Sequence, residues 1–310
     1  MRIAVVVISW NVRDLLTRCL ESIRTETDRT AHQVDTWVVD NNSADGTAEH
    51  VRKVAPWANL ITNAQNRGFA AACNQGVATA APADAILLLN PDAELSPGAI
   101  DLLAGHLIDH PNVAAVGPRL FNPDGATQPS RRRFPTPATA FLESTFLQQC
   151  FPTNPVARRY YYADRPDDVP QQVDWLAGAC LMMRRTAWDE TGGLDEGFFL
   201  YFEETDWFKR ASELGWTAVY LPAAGAQHQG GGSSNQDPAR RHICFADSKV
   251  RYYTKHFGRW LGAAVRVFLL ADAALRILED AAKLALGHKV AMRRERIAAL
   301  SAVLRWGVRG

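Results

Sequence analysis

The chain has 310 residues, of which 47% are hydrophobic and 22% charged. This composition is typical of a globular protein and excludes a disordered chain, a collagen-like repeat and a small disulfide scaffold. The formal net charge of +1 hides an asymmetry, because residues 240–310 contain 15 basic and 5 acidic side chains and residues 1–239 contain 19 basic and 28 acidic ones. We therefore expect two parts, a catalytic or binding domain over residues 1–239 and a basic extension over residues 240–310.

The cysteines are five in number and far apart, which indicates thiols kept in a reducing compartment and not disulfides. The apolar N-terminus is too short for a signal peptide and lacks its cleavage site. No uncharged apolar stretch reaches the roughly 18 to 20 residues that span a bilayer. We expect a cytoplasmic protein that, where it meets a membrane, lies on the inner surface.

Short runs of β-branched and aliphatic residues alternate with helical periodicity through the first hundred residues. This alternation predicts an α/β fold with a doubly wound, mostly parallel sheet flanked by helices, followed by a C-terminal helical extension. The predicted strands are residues 3–8, 37–39, 60–61 and 85–89, and the helices between them include residues 47–54 and 69–80.

A polar cluster follows each of these strands. Any one cluster could simply form a turn, but ligands of doubly wound sheets bind beyond the carboxyl ends of the strands, where all four would lie. The glycine fingerprint of dinucleotide-binding proteins is absent after the first strand, which disfavours a nicotinamide or flavin enzyme. The clusters are residues 9–11, 40–43, 66–68 and 90–92.

Asp92 and His228 are candidate metal ligands. Asp92 follows a buried strand and Pro91, and a carboxylate there suits a divalent cation, Mg²⁺ or Mn²⁺, that bridges two phosphates. His228 precedes a run of three glycines, which allows a loop to wrap closely around a ligand. The alternatives are an aspartate that caps its own turn and an ordinary loop histidine.

Three acidic residues, Glu203, Glu204 and Asp206, open a helix that we predict over residues 204–214. Carboxylates crowded beside aromatic residues repel one another and lose solvent, which raises one pKa toward the range of a general base. The alternative is that a helix N-terminus simply favours acidic residues.

Residues 131–170 show poor periodicity, and we expect a long excursion over the sheet. The basic extension shows helical stripes over residues 261–286 and 290–306, and Ile297, Leu300 and Leu304 share one face. Basic amphipathic helices suit an anionic membrane surface, and the alternative is a helical subdomain packed on the core. Nucleic acid is not expected, since no groove-reading motif accompanies the charge.

Six segments, in order, resemble glycosyltransferase family 2, particularly its bacterial rhamnosyltransferase-like branch. The resemblance implies a GT-A fold, a nucleotide-diphosphate sugar donor such as dTDP-rhamnose, a divalent metal, an inverting displacement, and a glycan or lipid-linked acceptor of the cell envelope. The segments are residues 5–11, 39–47, 66–76, 89–93, 175–180 and 198–206.

The resemblance also implies a role for individual residues. Asn90 stands where the family has the first aspartate of its Asp-x-Asp motif, so one metal ligand is missing. A catalytically silent nucleotide-sugar-binding partner of an envelope assembly complex is the alternative, and a nucleotidyltransferase is disfavoured because the first strand lacks a glycine-rich basic loop. The implied roles are base and ribose binding by Ser9, Asn11, Asp40 and Asn42, lining of the donor pocket by Asn66 and Gly68, metal binding by Asp92 and His228, and catalysis by Glu204 as the base, with Glu203 and Asp206 as the next candidates.

Overall fold

The computed structural model describes residues 1–80 and 82–309 of the chain, which form two compact units. The first contains residues 1–134, 161–199 and 203–233, and we call it the sheet unit. The second contains residues 135–160, 200–202 and the chain from 234 onward, and we call it the helical unit. The division therefore falls at residues 233–234, a few residues before the predicted boundary at 239–240, and two earlier segments join the C-terminal helices.

The strands all belong to the sheet unit. Their order in the large sheet is β3-β2-β1-β4-β11-β6-β12-β5, and a separate ribbon pairs β10 with β8. The strands are β1 (Arg2–Ser9), β2 (Gln33–Asp40), β3 (Asn59–Thr62), β4 (Ala85–Leu89), β5 (Ala93–Leu95), β6 (Val113–Phe121), β7 (Thr127–Gln128), β8 (Arg131–Arg132), β9 (Gln171–Val173), β10 (Trp175–Leu176), β11 (Cys180–Arg184) and β12 (Thr217–His228).

The helices are divided between the units. The first helices of the chain belong to the sheet unit, and two of them connect neighbouring parallel strands. They are α1 (Arg13–Thr27), α2 (Thr47–Val54), α3 (Phe69–Thr79) and α4 (Ala99–Asp109); the helical unit has α5 (Pro137–Leu142), α6 (Phe146–Cys150) and α7 (Pro155–Tyr160); the sheet unit continues with α8 (Arg185–Thr191) and α9 (Glu203–Glu213); and the helical unit ends with α10 (Pro238–Phe257), α11 (Arg259–Ala285) and α12 (Val290–Arg309).

The predicted α/β fold with a mostly parallel sheet is confirmed. β3, β2, β1 and β4 run parallel, and β11 joins them antiparallel to β4. The strand β1 is buried on both faces, with Val5 and Val7 packing in the core formed with Leu16 and Leu20 of α1. A strand covered on both sides needs the continuous apolar run that the sequence shows there.

The register of the parallel strands brings their ends together. Ser9 pairs with Asp40, and Val7 pairs with Leu89, so β1, β2 and β4 end at one edge of the sheet. β12 returns to this edge, where its last residue His228 pairs with Ala93 of β5. The polar clusters that follow the strands therefore share one edge.

The helical unit has an unusually polar interior. The Lys249 side chain is fully buried in α10, and its Nζ donates to the backbone oxygen of Glu143 at 2.8 Å. Asp272 accepts from the backbone N–H of Phe146 and pairs with Arg276. These contacts join residues 135–160 to the C-terminal helices, which is why this segment is part of the helical unit and not simply a loop crossing the sheet.

The face of α12 that carries Ile297, Leu300 and Leu304 lies inside the helical unit. Leu300 is buried, and the other two side chains are half-buried. Arg293 of the same helix forms a buried ion pair with Asp280 of α11. This stripe therefore contributes to the interior of the helical unit. No helix within residues 1–80 and 82–309 is long and apolar enough to cross a bilayer.

Candidate active site

Two buried oxygen atoms lie unpaired at the end of β1 and β2. Ser9 is fully buried and Asp40 is 4% exposed, yet neither Ser9 Oγ nor Asp40 Oδ1 has a hydrogen-bond partner among the described residues. Burial raises the pKa of Asp40, and hydrogen bonds from Ser43 oppose this rise. Buried polar atoms are nearly always hydrogen-bonded in folded proteins, so two adjacent exceptions indicate a place for a polar ligand.

Asn11 connects the loops after these two strands. Its backbone N–H donates to Ser43 Oγ at 2.9 Å, and its side-chain Oδ1 accepts from the N–H of Ala44 at 2.6 Å. The residue has a positive φ of 53°, which asparagine tolerates better than most residues. Asn42, for which sequence predicts a role in donor binding, is exposed and also has a positive φ.

Asn41, next to it, is buried and organises the neighbouring loop. Its Nδ2 donates to Asn66 Oδ1 at 3.0 Å and to the backbone oxygen of Gly68 at 3.1 Å. Its Oδ1 accepts from the backbone N–H of Arg67 and from Asn63 Nδ2. Asn66 therefore supports the loop through Asn41, and the amide network holds the start of α3.

Gly68 is required by a close approach of two backbones. Its φ is +86°, and the following N–H, of Phe69, donates to the backbone oxygen of Phe199 at 2.7 Å. A Cβ on Gly68 would lie only 2.6 Å from that oxygen. Any other residue would therefore push the Phe199 segment away from this loop.

Asp92 and His228 come together, as predicted. Asp92 Oδ1 lies 3.3 Å from His228 Nε2, and its Oδ2 accepts from the backbone N–H of Gly232 at 3.1 Å. Burial favours a higher pKa for Asp92, but the hydrogen bond and charge of His228 and the N–H of Gly232 outweigh it and hold the pKa below its ordinary value. The carboxylate is thus held in its charged form.

Gln128 orients the imidazole of His228. Its Oε1 lies 2.7 Å from His228 Nδ1, while its Nε2 donates to Asn122 Oδ1. A carbonyl oxygen only accepts, so Nδ1 carries a proton. Nε2 is then the ring atom that faces Asp92 Oδ1 and Asn90 Nδ2, at 3.3 Å from each. With Nδ1 fixed by Gln128, Nε2 can share a proton with Asp92 or, when unprotonated, serve as a metal ligand.

These residues fit part of a divalent-metal site. A carboxylate and an imidazole suit Mn²⁺ or Mg²⁺. Within residues 1–80 and 82–309, no group of three or more His, Cys, Asp or Glu side chains is arranged to hold a metal ion. A metal ion held here would need further ligands besides these two side chains.

Gly232 closes the loop over Asp92. A Cβ at this position would lie 2.6 Å from Leu15 Cδ1 and 3.3 Å from Asp92 Oδ2. A side chain here would displace either Leu15 or the loop that brings an N–H to the carboxylate. The glycine run after His228 therefore serves the close packing of this loop.

Glu203 and Glu204 lie side by side at the start of α9. Glu203 is 5% exposed, whereas Glu204 is partly exposed, and the Oε2 atom of each is buried without a hydrogen-bond partner in the described chain. Burial and then the charge of Glu204 raise the pKa of Glu203 well above its ordinary value. Burial also raises the pKa of Glu204. Of the two, only Glu204 combines a raised pKa with access to solvent, as a general base requires.

The ribbon of β8 and β10 holds Glu204 in place. Arg132 pairs with Trp175 in this ribbon. The chain continues from β10 to Gly178, which lies close to Glu204, because a Cβ on this glycine would be 3.6 Å from Glu204 Oε1. The N–H of Gly178 and the charge of Arg132 are among the influences that oppose the rise in the pKa of Glu204. The guanidinium of Arg132 lies over the ring of Tyr161 at 4.3 Å.

Asp206 is placed differently from the two glutamates. It is fully buried, and its Oδ2 accepts from Arg210 Nε at 2.8 Å. Arg210 also donates to the backbone oxygens of Gly193 and Thr191. Through Arg210, Asp206 thus connects α9 to the backbone at residues 191–193.

Three residues of this site escaped the sequence-based assignments: Asn41, Gln128 and Arg132. Asn41 adjoins a predicted residue, and Arg132 stands in a conspicuous run of three arginines, so each had a signal. Gln128 had none, because its partner His228 lies 100 positions away.

The chain matches known proteins over most of its length. The family described as Glycosyl transferase family 2 matches residues 4–192. An N-acetylglucosaminyl-diphospho-decaprenol L-rhamnosyltransferase of Mycobacterium tuberculosis is 30% identical over 282 residues, which cover 88% of this chain and 90% of that protein. The low-salt glycan biosynthesis hexosyltransferase Agl10 of Haloferax volcanii is 25% identical over 183 residues, which cover 56% of this chain and 52% of that protein.

Solved structures share the fold. The mannosyltransferase PcManGT from Pyrobaculum calidifontis, in complex with GDP-Man and Mn²⁺, has a TM-score of 0.54 at 18% identity and covers 99% of this chain and 86% of its own. GalNAc-T7 with UDP, GalNAc and Mn²⁺ also has a TM-score of 0.54, at 15% identity; the match covers 74% of this chain but only 44% of that one. The predicted GT-A fold is thereby confirmed, and the chain belongs to glycosyl transferase family 2, which makes it a glycosyltransferase.

Proposed function

We propose that this chain is an inverting rhamnosyltransferase that uses a nucleotide-diphosphate donor, such as dTDP-rhamnose, and a lipid-linked acceptor of the cell envelope. Glu204 carries the proposal, because its buried Oε2 has no protein partner among the described residues while the residue stays partly exposed. A relative with 30% identity over 88% of the chain is an L-rhamnosyltransferase that acts on an N-acetylglucosaminyl-diphospho-decaprenol. The activity of this relative supports both rhamnose as the transferred sugar and a lipid-linked molecule as the acceptor.

Ser9 and Asp40 would hold the nucleotide base. Asp40 Oδ1 can accept from the ring N–H of thymine or uracil, and Ser9 Oγ can donate to or accept from the same base. Their present lack of partners would then end when the donor binds. Asn11 and the loop held by Asn41 would complete this side of the pocket, whereas the exposed Asn42 is the weakest of the predicted contacts.

Asp92 and His228 would hold a divalent cation against the donor diphosphate. A bound cation of this kind neutralises the charge that develops on the departing diphosphate. Asp92 supplies a charged oxygen, and the hydrogen bond from His228 Nδ1–H to Gln128 Oε1 leaves Nε2 available as a ligand. The Mn²⁺ in two solved structures of this fold is consistent with such a site.

Glu204 would act as the general base. Its carboxylate takes the proton of the acceptor hydroxyl while that oxygen forms a bond to the anomeric carbon. The bond from the anomeric carbon to the diphosphate oxygen breaks in the same step, and the nucleotide diphosphate leaves with the electron pair. Attack from the face opposite the leaving group inverts the anomeric configuration.

The charge of Arg132 should tune this base. Replacing Arg132 with glutamine removes a charge that lowers the pKa of Glu204, so the pKa should rise further. Because the base must be deprotonated, activity appears as pH rises through this pKa, and the acidic limb of the profile of kcat/KM against pH should move to higher pH. The matched control is Arg133→Gln, since Arg133 pairs with Asp164 instead. An acidic limb that stays in place in Arg132→Gln would contradict this role.

A donor screen tests the proposed function most directly. Nucleotide sugars with different bases and sugars are added with Mg²⁺ or Mn²⁺, and thermal unfolding is measured. A ligand at about 100 times its dissociation constant stabilises the folded protein by about 2.7 kcal/mol. We expect the largest rise in Tm with dTDP-rhamnose and metal. A larger rise with a GDP-linked or UDP-linked sugar would overturn the donor assignment, and no rise with any donor would overturn the function.

A further inference from the structure

A stripe of apolar side chains is exposed along the whole of α11 in the helical unit. Trp260 is 77% exposed, Leu278 is 67% exposed and Leu286, just past the helix, is 84% exposed. Their spacing of three, four, seven or eight residues keeps them on one face of the helix. We call this face the outer stripe of α11. It consists of Trp260, Val267, Leu275, Leu278 and Leu286, with the small residues Ala264, Ala271 and Ala282 between them.

The opposite face of α11 is already buried. Val265, Leu269 and Ala273 pack inside the helical unit, so the outer stripe is not needed to cover that interior. At a rise of 1.5 Å per residue the helix is about 40 Å long. Helices that are apolar on both faces are normally covered on both, and a long exposed apolar strip marks an interaction surface.

No charged residue of α11 interrupts the stripe. The helix carries two buried aspartates on other faces, and each has a basic partner: Asp272 pairs with Arg276, and Asp280 pairs with Arg293. Glu279 pairs with Lys283. The acidic side chains of α11 are thus neutralised locally.

The exposed charge around the stripe is mainly positive. The guanidinium of Arg259 lies 4.8 Å over the ring of Trp260 at the first turn, and Lys289 follows the last turn. Arg294 and Arg305 of α12 are also exposed. The excess of 15 basic over 5 acidic side chains in residues 240–310 favours an anionic partner.

An apolar stripe with cations at its ends fits an anionic bilayer. A helix that lies in the membrane surface buries its apolar face among the lipid chains and places Lys, Arg and Trp at the headgroups. A second copy of this chain would bring two positive surfaces together, which opposes association. A nucleic acid would neutralise the charge but leave the apolar stripe exposed to water.

We infer that the outer stripe of α11 docks this protein on the surface of an anionic bilayer. The inference deepens the proposed function and rests on it, because a lipid-linked acceptor is found in a membrane. It also confines the predicted membrane contact to the exposed face of α11, the helix predicted over residues 261–286, and leaves out the face of α12 that carries the buried Leu300. The helix lies along the surface and does not cross it.

Binding to lipid vesicles tests the inference. The full chain is sedimented with vesicles of phosphatidylcholine alone and of phosphatidylcholine mixed with phosphatidylglycerol, at low and high salt. We expect binding only to the mixed vesicles, weaker at high salt because salt screens the surface charge. Leu278→Glu should lower the partition coefficient about tenfold or more, because it places a charge on the face that would be buried among the lipid chains.

The control is Ile108→Glu on α4 of the sheet unit, where the side chain is 53% exposed and lies outside the stripe. This variant should bind vesicles like the unmodified protein. Leu278→Ala preserves helix propensity and should weaken binding severalfold, which keeps the test decisive if the glutamate variant fails to fold.

Several outcomes would overturn the inference. Leu278→Glu and Leu278→Ala could both bind as well as the unmodified chain, or binding could be equal to both kinds of vesicle. Light scattering could also show a dimer that Leu278→Ala converts to a monomer, which would make the stripe a contact between copies. The vesicles contain neither donor nor acceptor. A negative result with vesicles would therefore not contradict the donor assignment, and a negative donor screen would not contradict vesicle binding.

Discussion

Glu204→Gln is expected to lower the rate of sugar transfer by roughly 100-fold or more while donor binding stays nearly unchanged. Glutamine keeps the size of the side chain and can still accept from the N–H groups near Gly178, but it cannot take the proton of the acceptor. The carboxylate has a buried Oε2 without a protein partner in the described chain, so this oxygen is free to take the proton. The measurement is kcat for transfer, together with the dissociation constant of the donor by calorimetry.

Glu203→Gln is the matched comparison, since Glu203 is adjacent in sequence, chemically identical and almost fully buried. Removing its carboxylate takes away a neighbour of Glu204 without removing the base, so we expect a smaller loss of rate. If Glu203→Gln is the inactive variant and Glu204→Gln keeps its activity, the base is Glu203 and the mechanism shifts by one residue.

Asp92→Asn is expected to abolish the metal-dependent part of donor binding and nearly all transfer. Asparagine keeps the shape of the side chain and can still accept from the N–H of Gly232, but it lacks the charge that holds a divalent cation. The measurement is the dissociation constant of a nucleoside diphosphate with and without Mn²⁺. The gain from Mn²⁺ should disappear, and the affinity without metal should remain.

The asparagine variant is preferable to Asp92→Ala. The sequence predicts that Asp92 lies at the ligand crevice. In the structure the residue is only 8% exposed, and its carboxylate contacts His228 and accepts from the N–H of Gly232. Alanine would remove the oxygens that face His228 and accept from the N–H of Gly232, at a cost of about 1 to 3 kcal/mol in folding free energy. Gln128→Ala, which releases the imidazole of His228, should weaken the effect of Mn²⁺ without removing it. Unchanged Mn²⁺ dependence in Asp92→Asn would disprove the metal assignment.

Local patterns predicted the elements that build the site. The β-branched run in β1 and the apolar run of β4 require burial on both faces, which the sheet provides, and the helix predicted over residues 47–54 is α2 with the same bounds. The carboxyl ends of parallel strands necessarily meet at one edge, so Ser9 and Asp40 could be placed side by side without coordinates. Hydrophobic period and strand direction are properties of short segments, and the sequence contains them in full.

Long-range contacts decided what remained. Which asparagine of the Asn41-Asn42 pair turns inward depends on partners at Asn66 and Gly68, about 25 positions away. Whether Glu203 or Glu204 is more exposed depends on the packing around α9, since adjacent helical residues differ in direction by about 100°. The run of acidic residues predicted a perturbed pKa, but only packing separated the two glutamates from Asp206 and its partner Arg210.

The C-terminal helices, too, could be predicted only in part from the sequence. Residues 240–310 carry their positive charge and apolar periodicity in the sequence itself, which was enough to predict amphipathic helices and a preference for anionic partners. The pattern in α11 is apolar on more than one face, so periodicity alone could not say which face is covered. Packing buried Val265 and Leu269 and left Trp260 and Leu278 exposed. The sequence determined which residues could meet a partner, and tertiary packing decided which of them remain free to do so, because burial depends on neighbours that are distant in the chain.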